Sequence, residues 1–177
     1  MKGIIVVDVE RCMGCKSCEL ECAVAHSKAK SLIEALLEEP RPVARVTVEA
    51  IEGYSLPMQC RHCEDPPCVA VCPSQALTKL GVGEPVVLKN DRCIGCKICI
   101  LICPFGVMAL SRDGKVITKC DLCIERLEEG HEPACVRACP THSLRYMSVE
   151  EALKEKRTTA AKRYLVELRK GGSGEHE

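Results

Sequence analysis

Apolar and polar residues alternate over Val43–Ile51, with Val46, Val48 and Ala50 on one side, the period of a half-buried strand. The apolar run Ile4–Val9 predicts another strand, and Val86–Leu88, Val116–Thr118 and Leu144–Met147 predict three shorter ones. Two stretches read as helices instead. Ser31-Leu-Ile-Glu34 has capping-box spacing and opens a short helix that must stop by Pro40 and Pro42. Ser148-Val-Glu-Glu151 repeats the spacing and opens the longest helical stretch, to about Lys170, with acids at its start and bases at its end as the helix dipole favours. Along it Val149, Ala152, Leu153, Ala160, Tyr164 and Leu168 recur at near-helical spacing. This modest apolar face predicts packing on the helix's own domain, with docking on a partner subunit as the sharper alternative. Gly81 and Gly83 mark a loop or hairpin tip, and the terminal GGSGEHE reads as a disordered tail.

These elements lack the mass of an ordinary core. The 177 residues include one Phe, three Tyr and no Trp, so the aromatic side chains that usually dominate an interior are almost absent. Sixteen residues are Cys, and much of the apparent hydrophobicity is sulfur. Something other than side chains must fill the interior.

The cysteines fall into four groups of four. Cys12, Cys15, Cys18 and Cys22 share the spacing C-x2-C-x2-C-x3-C with Cys93, Cys96, Cys99 and Cys103. Cys60, Cys63, Cys68 and Cys72 follow C-x2-C-x4-C-x3-C, and in Cys120, Cys123, Cys135 and Cys139 the middle gap has grown to eleven residues. Similarity extends beyond the cysteines: RCMGCKSCELEC aligns with RCIGCKICILIC, and PCVAVCPS with ACVRACPT. Groups one and three are siblings, as are two and four, which duplication of a two-motif unit explains.

Cysteine at this density implies disulfides, zinc or iron–sulfur clusters. The segment MKGIIVVDVE is too short and too acidic for a secretory signal, and neither a twin-Arg signal nor a membrane-length apolar run occurs, so a reducing, cytoplasmic location is expected. Zinc sites pair two C-x2-C knuckles across a longer spacer, whereas here four Cys lie within eleven residues. Three Cys separated by two residues let a tight loop wrap three corners of a cubane. The fourth, three residues on, is expected to begin a helix and to point away from that loop, towards another cluster. Pro73, Pro104 and Pro140 follow three of the four groups, while Ala23 follows the first. Gly14 and Gly95 suit loops whose backbone approaches sulfide closely. Iron is therefore the expected metal of all sixteen thiols.

The polypeptide has a formal net charge of zero, which gives no reason to expect nucleic acid as a partner. Four [4Fe–4S]²⁺ clusters with their thiolates would bring it to about −8, with nearby Lys and Arg as local compensation. Lys16, Lys97, Arg61 and Lys119 sit in or beside the motifs, where each could raise a cluster potential or lie solvated at the surface. His62 and His142 lie near the motifs, His26, His131 and His176 sit in no ligand-like pair, and all five read as polar or supporting residues. No phosphate-binding loop, nucleophile elbow or carboxylate pair appears, so no catalytic site is expected.

The phrases CRHCEDPPCVAVCP and KCDLCIERLEEGHEPACVRACPTHSL resemble the four-cluster, ferredoxin-type electron-transfer subunits of formate dehydrogenases, hydrogenases, carbon monoxide dehydrogenases and tungsten or molybdenum oxidoreductases. The resemblance covers about residues 3–147. It implies an α+β fold of two nested bacterial-ferredoxin-like dicluster units with short strands and helices, plus a C-terminal helix. The outer unit would be residues 1–53 and 109–147, the inner 54–108, with 148–177 as C-terminal helix and tail. It further implies that Cys12, Cys15 and Cys18 share a cluster with Cys139, and Cys120, Cys123 and Cys135 with Cys22. Likewise Cys60, Cys63 and Cys68 would join Cys103, and Cys93, Cys96 and Cys99 would join Cys72. Repeat order alone also permits sequential pairing of group one with two and three with four. The implied role is non-catalytic: passing single electrons between a catalytic redox subunit and ferredoxin or another redox subunit, without a direct membrane span. A free-standing polyferredoxin is the alternative. A compact chain of this length has a radius of gyration of about 16 Å, so four clusters within it must be near neighbours.

Overall fold

The computed structural model describes residues 3–171. The first half contains β1 (Gly3–Val7), α1 (Ser17–Ala25), α2 (Leu32–Leu37), β2 (Val46–Ile51), β3 (Tyr54–Gln59) and α3 (Pro67–Ala70). Next come β4 (Leu77–Lys79), β5 (Val86–Leu88), α4 (Ile98–Ile102), β6 (Ala109–Leu110) and β7 (Ile117–Thr118). The chain continues through α5 (Ile124–Glu128), α6 (Ala134–Arg137), β8 (Leu144–Ser148) and α7 (Val149–Gly171). The class is α+β, as expected, with every described strand in a two-stranded antiparallel ribbon.

Pairing brings distant parts of the chain together. β1 lies against β8, with Ile5 opposite Tyr146. β4 and β5 form the hairpin whose tip Gly81 and Gly83 marked, with Leu77 opposite Leu88. β2 pairs with β3, a strand the alternation did not predict, because Pro57 interrupts it. Pro57 stands opposite Val48 in a hairpin in which each strand has one unpaired edge, where a missing N–H costs no ladder bond. The predicted Ile4–Val9 strand ends at Val7, and a 3-10 turn over Val9–Arg11 leads into the first cysteine loop.

Two groups of buried side chains form the interior. Ile5, Val46, Val48, Leu122, Val136 and Leu144 pack with Cys18, Cys22 and Cys135. Leu77, Val86, Met108 and Ile117 pack with Cys68 and Cys99. Sulfur thus occupies places where large aromatics would ordinarily stand.

Two helix expectations need correction. Ser31 caps α2 with its backbone position alone, its hydroxyl making no capping bond, whereas the Ser148–Glu151 box forms completely. The apolar face of α7 does not pack on the body: its first turns touch β1 and β8, but Leu153, Tyr164, Leu165 and Leu168 are all more than half exposed. A helix with so short a docked end cannot bury a continuous stripe. The predicted tail beyond Gly171 lies outside the described residues. No helix among those described is long and apolar enough to cross a membrane.

Candidate metal centres

The sibling loops of groups one and three share one backbone path. Gly14 and Gly95 have φ of +70° and +67°, and Lys16 and Lys97 follow in the left-handed region as N-caps of α1 and α4. The glycines leave room for protein rather than for sulfide alone: a Cβ on Gly95 would stand 2.1 Å from the carbonyl oxygen of Lys115, and one on Gly14 would stand 2.7 Å from Ser55 Oγ. In both groups the helix begins just before the third cysteine, not at the fourth. The left-handed Lys ends the loop and launches the helix there, so Cys18 and Cys99 lie in first turns, with Cys22 one turn further on and Cys103 at the C-cap.

Helix packing then brings the groups together. α1 lies against α6, which carries Cys135, and α3, which carries Cys68, lies against α4. Cys60, Cys63, Cys68 and Cys103 line one small cavity, and Cys72, Cys93, Cys96 and Cys99 line another. Cys12 and Cys139 act electrostatically on Cys18, and Cys139 on Cys15 as well. Cys120, Cys22 and Cys123 act in the same way on Cys135. None of the sixteen is in a disulfide.

The most deeply buried of the perturbed thiols resist ionisation as bare groups. Burial, then the neighbouring Cys60 and Cys103, pushes Cys68 up to about 11, and burial pushes Cys120 up to about 12. Cys135 is raised further by burial and by Cys120 and Cys22. Cys72 and Cys139 shift the other way: burial opposes their charge, but the backbone amides that follow and the hydroxyls of Ser74 and Thr141 outweigh it. These two siblings therefore share one thiolate-stabilising turn. Three amides also aim at sulfur, from Arg45 to Cys22 at 3.2 Å, His62 to Cys60 at 3.4 Å and Leu122 to Cys120 at 3.4 Å. Four clustered thiolates repel one another unless a cationic core lies between them, and amides then stabilise the remaining negative charge on sulfur. The donor set fits iron–sulfur clusters.

Around this framework the structure adds residues that the spacing did not reveal. Arg45 pairs with Asp121, and Asp121 Oδ1 lies 3.1 Å from His26 Nε2. His26 Nδ1 lies 2.7 Å from the carbonyl oxygen of Cys22, so His26 donates on both sides only as imidazolium. Burial opposes charge on both residues, but the hydrogen bond from His26 and the Arg45 guanidinium hold Asp121 low, while hydrogen bonds to Asp121, Cys123 and Cys22 hold His26 high. Donor atoms of His26, Asp121 and Cys123 fall within 4.8 Å of one another, a spacing that could hold an ion. Ion pairing already occupies two of them, and Asp121, held by His26 and Arg45, acts as a clamp between the end of α1 and the Cys120–Cys123 loop. His26 and Asp121 are 95 residues apart in sequence, beyond the reach of any local pattern. His131 and His142 are exposed, and His176 lies outside the described residues. Lys16, Lys97 and Arg61 are exposed too, but Lys119 is buried.

Residues 51–149 match the family model described as "4Fe-4S dicluster domain", and residues 9–25 match a "4Fe-4S binding domain". The chain belongs to the 4Fe-4S dicluster family. It is 39% identical to an "Iron-sulfur protein" of Rhodospirillum rubrum, over 87% of this chain and 88% of that one. It is 40% identical to the "Putative electron transport protein YsaA" of Escherichia coli K12, over 85% of this chain and 93% of that one. A component of the anaerobic dimethyl sulfoxide reductase of the same organism is 37% identical, over 88% and 78% of the two chains. In this 4Fe-4S dicluster protein the dicluster match spans the second, third and fourth cysteine groups, and the 4Fe-4S binding match spans the first.

Proposed function

We propose that this chain is a non-catalytic, cytoplasmic electron-transfer subunit of an oxidoreductase complex, carrying four [4Fe–4S] clusters. The observation that carries the reading is that all sixteen thiols are free of disulfides and that eight of them line two cavities, four to each, every set drawing its cysteines from two motifs. The ligand sets are Cys12, Cys15, Cys18 and Cys139; Cys22, Cys120, Cys123 and Cys135; Cys60, Cys63, Cys68 and Cys103; and Cys72, Cys93, Cys96 and Cys99. Contact of α1 with α6 and of α3 with α4 supports this nested scheme, with groups two and three as an inner unit. Bound clusters supply one-electron transfer. The chain's own part is to hold them close, exclude water and direct amides and charges at their sulfurs.

Electrons would pass between a catalytic redox subunit and ferredoxin or a second redox subunit. The relative named as part of a dimethyl sulfoxide reductase supports such a partner. A tungsten or molybdenum enzyme of the aldehyde- or formate-oxidising type is the favoured class. The relative named only as an electron transport protein supports a second reading, a free-standing carrier. Native purification separates the two. A subunit co-elutes with a catalytic protein whose substrate reduces its clusters, and a protein that sediments as a single chain with clusters that no co-purifying enzyme reduces sinks the subunit reading.

A further inference from the structure

Lys119 is 2% exposed, and its ammonium donates to two carbonyl oxygens, those of Val86 and Cys120. Val86 lines the cavity formed by Cys60, Cys63, Cys68 and Cys103. Cys120 belongs to a different thiol set. One buried cation is therefore tied by its own hydrogen bonds to the main chain at two sets, and its charge acts on both Cys68 and Cys120. His62 completes the junction. Its Nδ1 accepts from the Val86 amide at 3.0 Å, so the ring proton sits on Nε2, which is buried without a partner among the described residues. An ammonium has three N–H donors, and two carbonyls leave part of its charge uncompensated. Burial of such a charge is costly unless anions lie near it. Cluster-bearing thiolate sets on both sides are those anions.

We propose that Lys119 is a positioning cation shared by two clusters, the one on Cys60, Cys63, Cys68 and Cys103 and the one on Cys22, Cys120, Cys123 and Cys135, and that it raises the reduction potentials of both. Reduction adds one negative charge to a cluster, so a fixed buried cation favours the reduced form, and more strongly than a solvated one would. At the junction one electron leaves one cluster and enters the other. Because Lys119 bears on both, it lifts donor and acceptor together and keeps the step between them from becoming steeply uphill. This inference rests on the four-cluster reading above.

The test is anaerobic, EPR-monitored redox titration of the iron-loaded full chain, wild type against Lys119→Met, Lys119→Gln and Lys119→Arg. With iron content unchanged, the Met and Gln variants lower the potentials of two clusters and leave the other two in place, and Arg restores them. Four unchanged potentials in the neutral variants, or four equal shifts, overturn the proposal. If the neutral variants shed iron, loss of about half of it in Met and Gln but not in Arg supports a charge that holds two clusters. Equal loss in all three variants makes Lys119 a packing residue and overturns it. A wild-type chain that binds no iron instead defeats the four-cluster reading itself, before any variant is compared.

Discussion

The backbone amide of Arg45 donates to Cys22 Sγ at 3.2 Å, while the Arg45 side chain grips Asp121 in the loop between Cys120 and Cys123. One residue thus ties the last sulfur of the first motif to the first loop of the last motif, Arg45 and Asp121 lying 76 positions apart. This link makes the crossed ligand set testable. Cys22→Ala is expected to remove the cluster on Cys120, Cys123 and Cys135 and to spare the one on Cys12, Cys15 and Cys18, with iron falling to about three quarters. EPR of the reduced variant reads which signal disappears, and loss of the neighbouring cluster instead contradicts the crossing.

Breaking the clamp should cost more than breaking a surface pair. Asp121→Asn leaves two partly buried cations, Arg45 and His26, without their anion. The expected loss is about 2 kcal/mol, or roughly 4–8 °C in the thermal loss of cluster absorbance. Glu125→Gln, which removes an exposed partner of Lys30, should cost less than about 0.5 kcal/mol. Equal effects would show that the clamp contributes nothing special.

Gly95 and Gly106 both have positive φ, but a Cβ meets backbone only at Gly95. Gly106→Ala should therefore cost about 1 kcal/mol from backbone strain alone, and Gly95→Ala clearly more, with iron lost from the Cys93–Cys99 loop. Iron retention after desalting, compared between the two variants, checks this.

The two capping-box sequences should respond differently to the same substitution. Ser148 Oγ accepts from the Glu151 amide at 3.2 Å, and the Ser148 amide donates to the Glu151 carboxylate at 2.9 Å. Ser148→Ala is expected to cost about 1 kcal/mol and to speed amide exchange in the first turn of α7. Ser31→Ala should have almost no effect on α2, because that hydroxyl makes no capping bond.

That contrast shows where local pattern stops being informative. Spacing identified all four thiol groups and their sibling relationship, because cluster ligation demands short, fixed intervals in the sequence. Apolar patterning located five strands to within a few residues, and the glycines located the β4–β5 tip. The hairpin partner β3 escaped because Pro57 argues against a strand. α3 and α6, at four residues each, are too short to show a period. Lys119 and Lys97 look alike in sequence, each beside a motif cysteine, and only the fold buries one and exposes the other. Asp121 likewise reads as an ordinary acid until the fold sets it between Arg45 and His26.

Sixteen thiols holding four clusters should bind a fixed amount of iron and sulfide. Iron and acid-labile sulfide, measured on anaerobically purified protein, test it most directly. About sixteen of each per molecule are predicted. Zinc with little iron, or about eight iron atoms in fully loaded protein, would contradict it.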